Sequence, residues 1–215
     1  SVAEPVARAA RDLGLAEGRL GIEKSSLFLT LAHAEAIFER LPRAAFVDAG
    51  ALIDDIRLVQ SELERDYTRK AAAAADAGTL AAIEAIRDGA SDGAVAAECC
   101  RAMLLAGGDY PGFGPFIRPT SRFGEEHTTW RGDVLRAGEA VFLEVGGAYR
   151  KYQAPMGRLI HIGRAAAEAE AAAALAIRGM DRMIAALRPG VTAGEVYAVW
   201  EAVARDGGLA DYRRH

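Results

Sequence analysis

The sequence predicts an α+β domain with an internal duplication, preceded by the end of a smaller α/β domain. Three observations predict it. Short helix and strand patterns alternate over the first sixty residues, long Ala-rich helices take over from Ser61, and a helix–turn–helix unit repeats at fixed spacing. At 215 residues the chain has room for one or two domains. The expected division is residues 1–58, the C-terminal part of the α/β domain, and residues 59–215, the first part of the α+β domain.

In the first segment Val2, Val6, Ala9, Ala10 and Leu13 fall on one helical face, and Gly14 ends that helix. Arg19 to Glu23 reads as a short strand, Leu31 to Leu41 as an amphipathic helix stopped by Pro42, and Ala45 to Ala49 as a second strand. Two strands and two helices bury too little for a complete core, so the segment reads as the tail of a larger domain. Ser61-Glu62-Leu63-Glu64 then offers a capping box. The helix it opens is expected to run through the Ala71–Ala75 block to about Arg87, because Ala loses no side-chain entropy in a helix. Ser91 caps the next helix, which reaches Leu105 ahead of Gly107-Gly108.

Ile86 to Val95 aligns with Leu187 to Val196 at a constant spacing of 101 residues (Arg87 to Arg188, Gly89 to Gly190, Val95 to Val196). Each copy follows an Ala-rich helix and leads into a helix ending in a Gly pair. A register held over some thirty residues is read as a duplication. Strand-like material at Phe113 to Arg118, Ala140 to Val145 and Arg158 to Ile162 follows the first copy, whereas the chain stops soon after the second. A fragment lacking its C-terminal strands is therefore expected, inactive as it stands.

Composition excludes several classes. The hydrophobic share of 51% and charged share of 26% are those of an ordinary globular chain. A net charge of −4 argues against nucleic acid as partner, which requires a basic face. No apolar run reaches the ~18 residues of a membrane span. Cys99 and Cys100 are adjacent, poorly placed for a loop-closing disulfide, and suit the cytoplasm.

Chemistry concentrates between His127 and Arg158. His127-Thr128-Thr129-Trp130 emerges from a loop rich in Pro, Gly, Ser and Arg. The apolar run Ala140-Val141-Phe142-Leu143 ends in Glu144, followed by Val145-Gly146-Gly147. A carboxylate at the end of a buried strand loses hydration, which raises its pKa toward the range useful for proton transfer. The same residue types also serve as a surface His and a strand-end Glu paired with one of the many arginines.

Taken together, these segments resemble the creatinase and proline-peptidase superfamily of pita-bread fold, itself an internally duplicated α+β architecture. Arg57-Leu58-Val59-Gln60-Ser61-Glu62-Leu63-Glu64 is similar to the linker into that domain, with Gln60 in place of the usual Lys. In metal-dependent members an Asp-x-Gly strand is followed eleven residues later by a second Asp. Here those positions hold Glu144 and Pro155. Proline offers no side-chain donor to a hard cation, so a two-metal peptidase site is not expected and no cofactor is implied. The set His127-x-Thr-Trp, Phe142 to Gly147 and Tyr152 to Arg158 is most similar to the non-metallo ectoine-hydrolase group. Tyr212-Arg213-Arg214-His215 resembles the lead into the family's next strand.

What the resemblance implies is metal-independent opening of a cyclic amidine by water, giving an N-acetylated diaminobutyrate in compatible-solute degradation. Glu144 and His127 are then the catalytic candidates, Glu144 attacking or holding water and His127 orienting the ring or shuttling a proton. Trp130, Tyr152 and Arg158 are the candidate substrate-binding residues: Trp130 against the cationic face, Arg158 on the carboxylate, Tyr152 (ahead of Tyr149) as a hydroxyl donor. The partner is a small molecule, with a homodimer expected at full length. A creatinase-like or Xaa-Pro peptidase-like hydrolase, or an inactive pita-bread binding module, are the alternatives.

Overall fold

The computed structural model describes residues 2–209, so the Tyr212–His215 motif lies outside the described residues. The chain divides into two compact units, with the boundary between Asp66 and Tyr67.

In the first unit α1 (Ala3–Asp12), β1 (Arg19–Ile22), α2 (Leu31–Arg40) and β2 (Ala45–Asp48) follow one another, and β1 pairs with β2 in parallel. The buried face of α1 is not the expected one: Ala3, Ala7 and Ala10 pack against Ile37 and Leu41, whereas Val2, Val6 and Leu13 of the predicted face stay exposed and only Ala10 is common to both. Thr30 caps α2 by accepting the His33 N–H. One element was not anticipated, the six-residue helix α3 (Leu52–Arg57), which buries none of its residues.

Helix α4 (Glu62–Ala85) opens on the expected capping box: the Ser61 N–H donates to Glu64 Oε2 at 2.7 Å and the Glu64 N–H to Ser61 Oγ at 3.4 Å. In the second unit α5 (Asp92–Leu105) is capped by Ser91. Then come β3 (Phe116–Pro119), β4 (Ala140–Tyr149), β5 (Tyr152–His161), α6 (Ala167–Ala186) and α7 (Ala193–Asp206). The three strands form an antiparallel sheet in the order β3-β4-β5.

The duplication is visible in three dimensions. The end of α4 at Ala85, both ends of α5 and its Ser91 cap recur 101 residues later at Ala186, Ala193, Asp206 and Thr192. The left-handed Gly89 and Gly107 recur as Gly190 and Gly208. Gly78 leaves no room for a Cβ against Cys99 and Met103 of α5, and its counterpart Gly179 leaves none against Trp200, the counterpart of Cys99. Each helix pair is therefore brought into close contact by the same small residue.

Strand β4 runs four residues beyond the expected end. Gly146 and Gly147 do not close it; they let the strand pass between two obstacles. A Cβ on Gly147 would strike the Ala71 carbonyl and the Ala75 amide of α4, and one on Gly146 would lie 2.9 Å from the Phe113 ring. Glu144 thus sits in mid-strand rather than at a strand end. The β4–β5 hairpin turns through Arg150 and Lys151, with φ of 50° and 70°, the two positive values a two-residue type I′ turn needs.

The core joins α4 and α5 to one face of the sheet: Ala82, Val95, Ala96, Cys99 and Met103 meet Ile117, Val141, Leu143 and Val145. Burial, aided by the neighbouring Cys100, pushes the Cys99 thiol up to about 12. A thiol so placed is a core residue and a poor nucleophile. No described helix is long and apolar enough to cross a membrane.

Gly147→Val drives a branched side chain into the backbone of α4 and is expected to lower stability by about 3 kcal/mol. Gly157→Ala, where a Cβ meets nothing within 4 Å, is expected to be near neutral. Denaturant unfolding of the two variants checks both.

Candidate active site

The sheet face opposite the helical core carries the candidate chemistry. Side chains alternate along a strand and register partners share a face. Phe116, Glu144 and Gly157 form one row across the sheet. Arg118, Phe142 and Leu159 form the next, with Gly146 and Pro155 paired on the other side. Glu144 and Pro155 therefore share this face on adjacent rows. Glu144 is half-buried, and Pro155, Gly157 and Leu159 are open to solvent.

His127 reaches the same place from the loop after β3. Its ring meets the Phe116 ring edge-on, with centroids 5.7 Å apart, and Phe113 stacks on Phe116 at 4.9 Å. Phe116 is the register partner of Glu144, so the imidazole rests on the aromatic neighbour of the carboxylate. Trp130 lies over Gly114, where a Cβ would be 3.0 Å from its ring, and stays 41% exposed. Glu144, His127 and Trp130 are thus gathered around the Gly114–Phe116 segment.

Tyr152 and Arg158 are not. Tyr152 pairs with Tyr149 and Arg158 with Leu143, so both belong to the face turned toward α4 and α5. Tyr67 of α4 takes Tyr149 and Tyr152 at centroid distances of 5.4 and 5.7 Å. Arg158 is exposed and donates to the Gly157 carbonyl at 2.7 Å. The five residues thus divide between the two faces of the sheet, with Tyr152 and Arg158 on the face away from Glu144.

A network unread in the sequence holds the His127 loop. Arg122 is 3% exposed. It donates from Nε to Glu125 (2.9 Å), from Nη1 to Asp133 (2.9 Å), and from Nη2 to the Thr128 hydroxyl and Thr129 carbonyl (3.0 Å each). Fully buried Asp92 at the start of α5 accepts the Arg131 and Gly132 amides at 2.9 and 3.0 Å, and lies 3.7 Å from Arg122 Nη1. Burial works against the Arg122 charge, but the hydrogen bonds it donates to Glu125 and Asp133 prevail and raise its pKa. In return the Arg122 hydrogen bond holds the Glu125 carboxyl below its ordinary value, against some desolvation. Between these anchors His127 adopts a left-handed φ of 49°, a conformation a non-glycine residue keeps only when its surroundings fix it.

Glu144 and Pro155 present one carboxylate and one side chain without a donor atom. Among the described residues, no group of three His, Cys, Asp or Glu side chains is placed to hold a metal ion. That donor set does not fit a two-cation centre at these positions.

An antiparallel sheet backed by paired helices, with an acid and an imidazole on its open face, defines a class of α+β domains that the comparisons specify. Residues 66–215 match metallopeptidase family M24, and residues 2–59 match the creatinase/prolidase N-terminal domain. The chain belongs to the M24 family, with the pita-bread fold. It is 28% identical over 188 residues to the ectoine hydrolase of Halomonas elongata, covering 83% of this chain and 47% of that protein. The Xaa-Pro dipeptidase of Pyrococcus furiosus is 26% identical over 196 residues, covering 91% and 56%. The solved Xaa-Pro dipeptidase from Bacillus anthracis superposes with a TM-score of 0.88 at 24% identity, covering 100% of this chain and 59% of that one, which shows the fold alone. The chain spans about half the length of the curated relatives it matches.

Arg122→Met strands the fully buried Asp92 without its cation and is expected to cost about 3–5 kcal/mol on unfolding. A carboxyl pKa depressed by folding adds stability above the unfolded value, near ~4.3, and that stability is lost as pH falls through the folded value. Carboxyl NMR should therefore show Glu125 titrating below its ordinary value in the parent chain and moving up toward it in Arg122→Met, where Arg131 and Thr128 still favour the carboxylate.

Proposed function

We propose that the full-length protein is a hydrolase of carbon–nitrogen bonds that opens the cyclic amidine ring of ectoine without a metal ion. The observation that carries this reading is that Glu144 and Pro155 stand on adjacent rows of one sheet face, at the positions where the metal-dependent pattern has two aspartates. Its similarity to the Halomonas ectoine hydrolase supports the choice of substrate.

An amidinium carbon is already electrophilic, so the substrate's own charge can do what a cation does for an amide. Glu144 takes a proton from water as the oxygen adds to that carbon. The ring carbon–nitrogen bond then breaks, and the departing nitrogen receives a proton, leaving an acetylated diamine. His127, beside Phe116, is the group to carry that proton. Trp130, part exposed over Gly114, offers a ring face to the cation.

A peptidase-like hydrolase is the second reading, favoured by the 91% coverage of this chain in the match to the Pyrococcus dipeptidase. The complete protein, freed of metal by chelation, is expected to convert ectoine to ring-opened product. Glu144→Gln should lose ~10²–10⁴-fold in kcat while keeping its melting temperature. Hydrolysis of an Xaa-Pro dipeptide that requires added manganese, with no ectoine turnover, would establish the second reading instead.

A further inference from the structure

Among the described residues of the second unit two arginines are buried, Arg118 and Arg122, and they differ in how far their hydrogen bonds are filled. Arg122 meets carboxylates, a hydroxyl and a carbonyl. Arg118 is 9% exposed, yet its Nε and Nη1 have no hydrogen-bond partner among the described residues. Its guanidinium carbon lies 4.4 Å from the centroid of the Phe142 ring. Stacking on a ring face compensates part of the lost hydration, but it gives the in-plane N–H groups nothing to donate to. A guanidinium cannot escape by losing its proton, so buried free donors mark a place prepared for an acceptor.

The acceptor's position follows from the register. Arg118 pairs with Phe142, two residues before Glu144, so Arg118 and Glu144 are diagonal neighbours across β3 and β4 on the open face. Such diagonals span about 7–8 Å, a distance a small molecule bridges with an anionic group at one end and its reacting centre at the other. No described carboxylate forms an ion pair with Arg118, whereas Arg158, the residue first assigned to a substrate carboxylate, stands on the opposite face.

We infer that Arg118 binds the carboxylate of the substrate, placing the reacting carbon over Glu144. This deepens the function proposed above and rests on its assignment of the Glu144 face as the reacting face. It defines the substrate class as small carboxylates with a cationic or polarised carbon a few bonds from the anion.

Calorimetric titration of the full-length protein carrying Glu144→Gln, which binds without turnover, provides the test. The ligands are ectoine, its neutral carboxamide and a Gly-Pro dipeptide. Adding Arg118→Met is expected to weaken ectoine by about 10- to 100-fold, the value of a charge-assisted hydrogen bond, and to leave the carboxamide unchanged. If Arg118→Met does not fold, Arg118→Lys, which keeps the charge without the planar fork, should show a smaller loss confined to the carboxylate ligand. Equal weakening of ectoine and carboxamide would make Arg118 a structural residue and overturn the inference. So would failure of every carboxylate to bind the parent. Arg118-dependent binding of Gly-Pro with no binding of ectoine would uphold the anion site while removing the ring-opening function.

Discussion

The buried guanidinium of Arg122 ties the His127 loop to the rest of its domain. Between Thr120 and Val134 the chain has no regular structure beyond a single turn of 3-10 helix, and its large apolar side chains Phe123, Trp130 and Val134 stay exposed, so hydrophobic packing does little to fix this stretch before Leu135 enters the core. Their conformation comes instead from one cation that spends its donors on Glu125, Asp133, Thr128 and Thr129, and from a buried aspartate that collects the next two amides. Neither charge is tolerable alone at that depth; each is the condition for the other. The strained backbone at His127 lies between these fixed points, so the imidazole's position against Phe116 is a consequence of ion pairing several residues away.

The face that receives His127 depends on a second constraint, the approach of β4 to α4. At Gly147 the strand touches helix backbone directly, and at Gly146 the Phe113 ring fills the space a side chain would take. Small residues on both sides of one strand bring the sheet against the helices and leave Glu144 displayed on the other side. Phe113 and Phe116 then shield the row beside the carboxylate, while β5 leaves its own half of that row open at Pro155 and Gly157.

Helical parts were readable because their signals are local. Ala-rich periodicity, the Ser61 and Ser91 caps and the positive-φ glycines all act within a few residues, and the 101-residue repeat relates the Ser91 cap to Thr192, Gly89 to Gly190 and Gly107 to Gly208. Helix α3 was missed because six residues without a buried face carry no periodic signature. The hairpin was missed because Arg150-Lys151 makes a turn usually written with Asn or Gly, while Gly146-Gly147 imitates a break. With the turn unplaced, the parity separating Tyr152 and Arg158 from Glu144 could not be worked out, and motif proximity stood in for geometry. The Arg122 network was out of reach for another reason. Asp92 meets Arg131 and Gly132 about forty residues away, and no local pattern announces a pairing at that distance.

Proline at position 155 does more than subtract a ligand. It removes a negative charge from the face where Glu144 stands, and it removes an N–H from β5, a loss a sheet tolerates best in a strand with no neighbour on its far side, as β5 is among the described residues. A face with two carboxylates is a place for cations; a face with one carboxylate and an unpaired arginine is nearly balanced in charge. Such balance suits a ligand that itself carries both signs, each end finding its opposite without a metal between them. On this reading the exchange of aspartate for proline and the unfilled donors of Arg118 are two parts of one change, in which the electrophile's charge moves from a bound ion to the substrate.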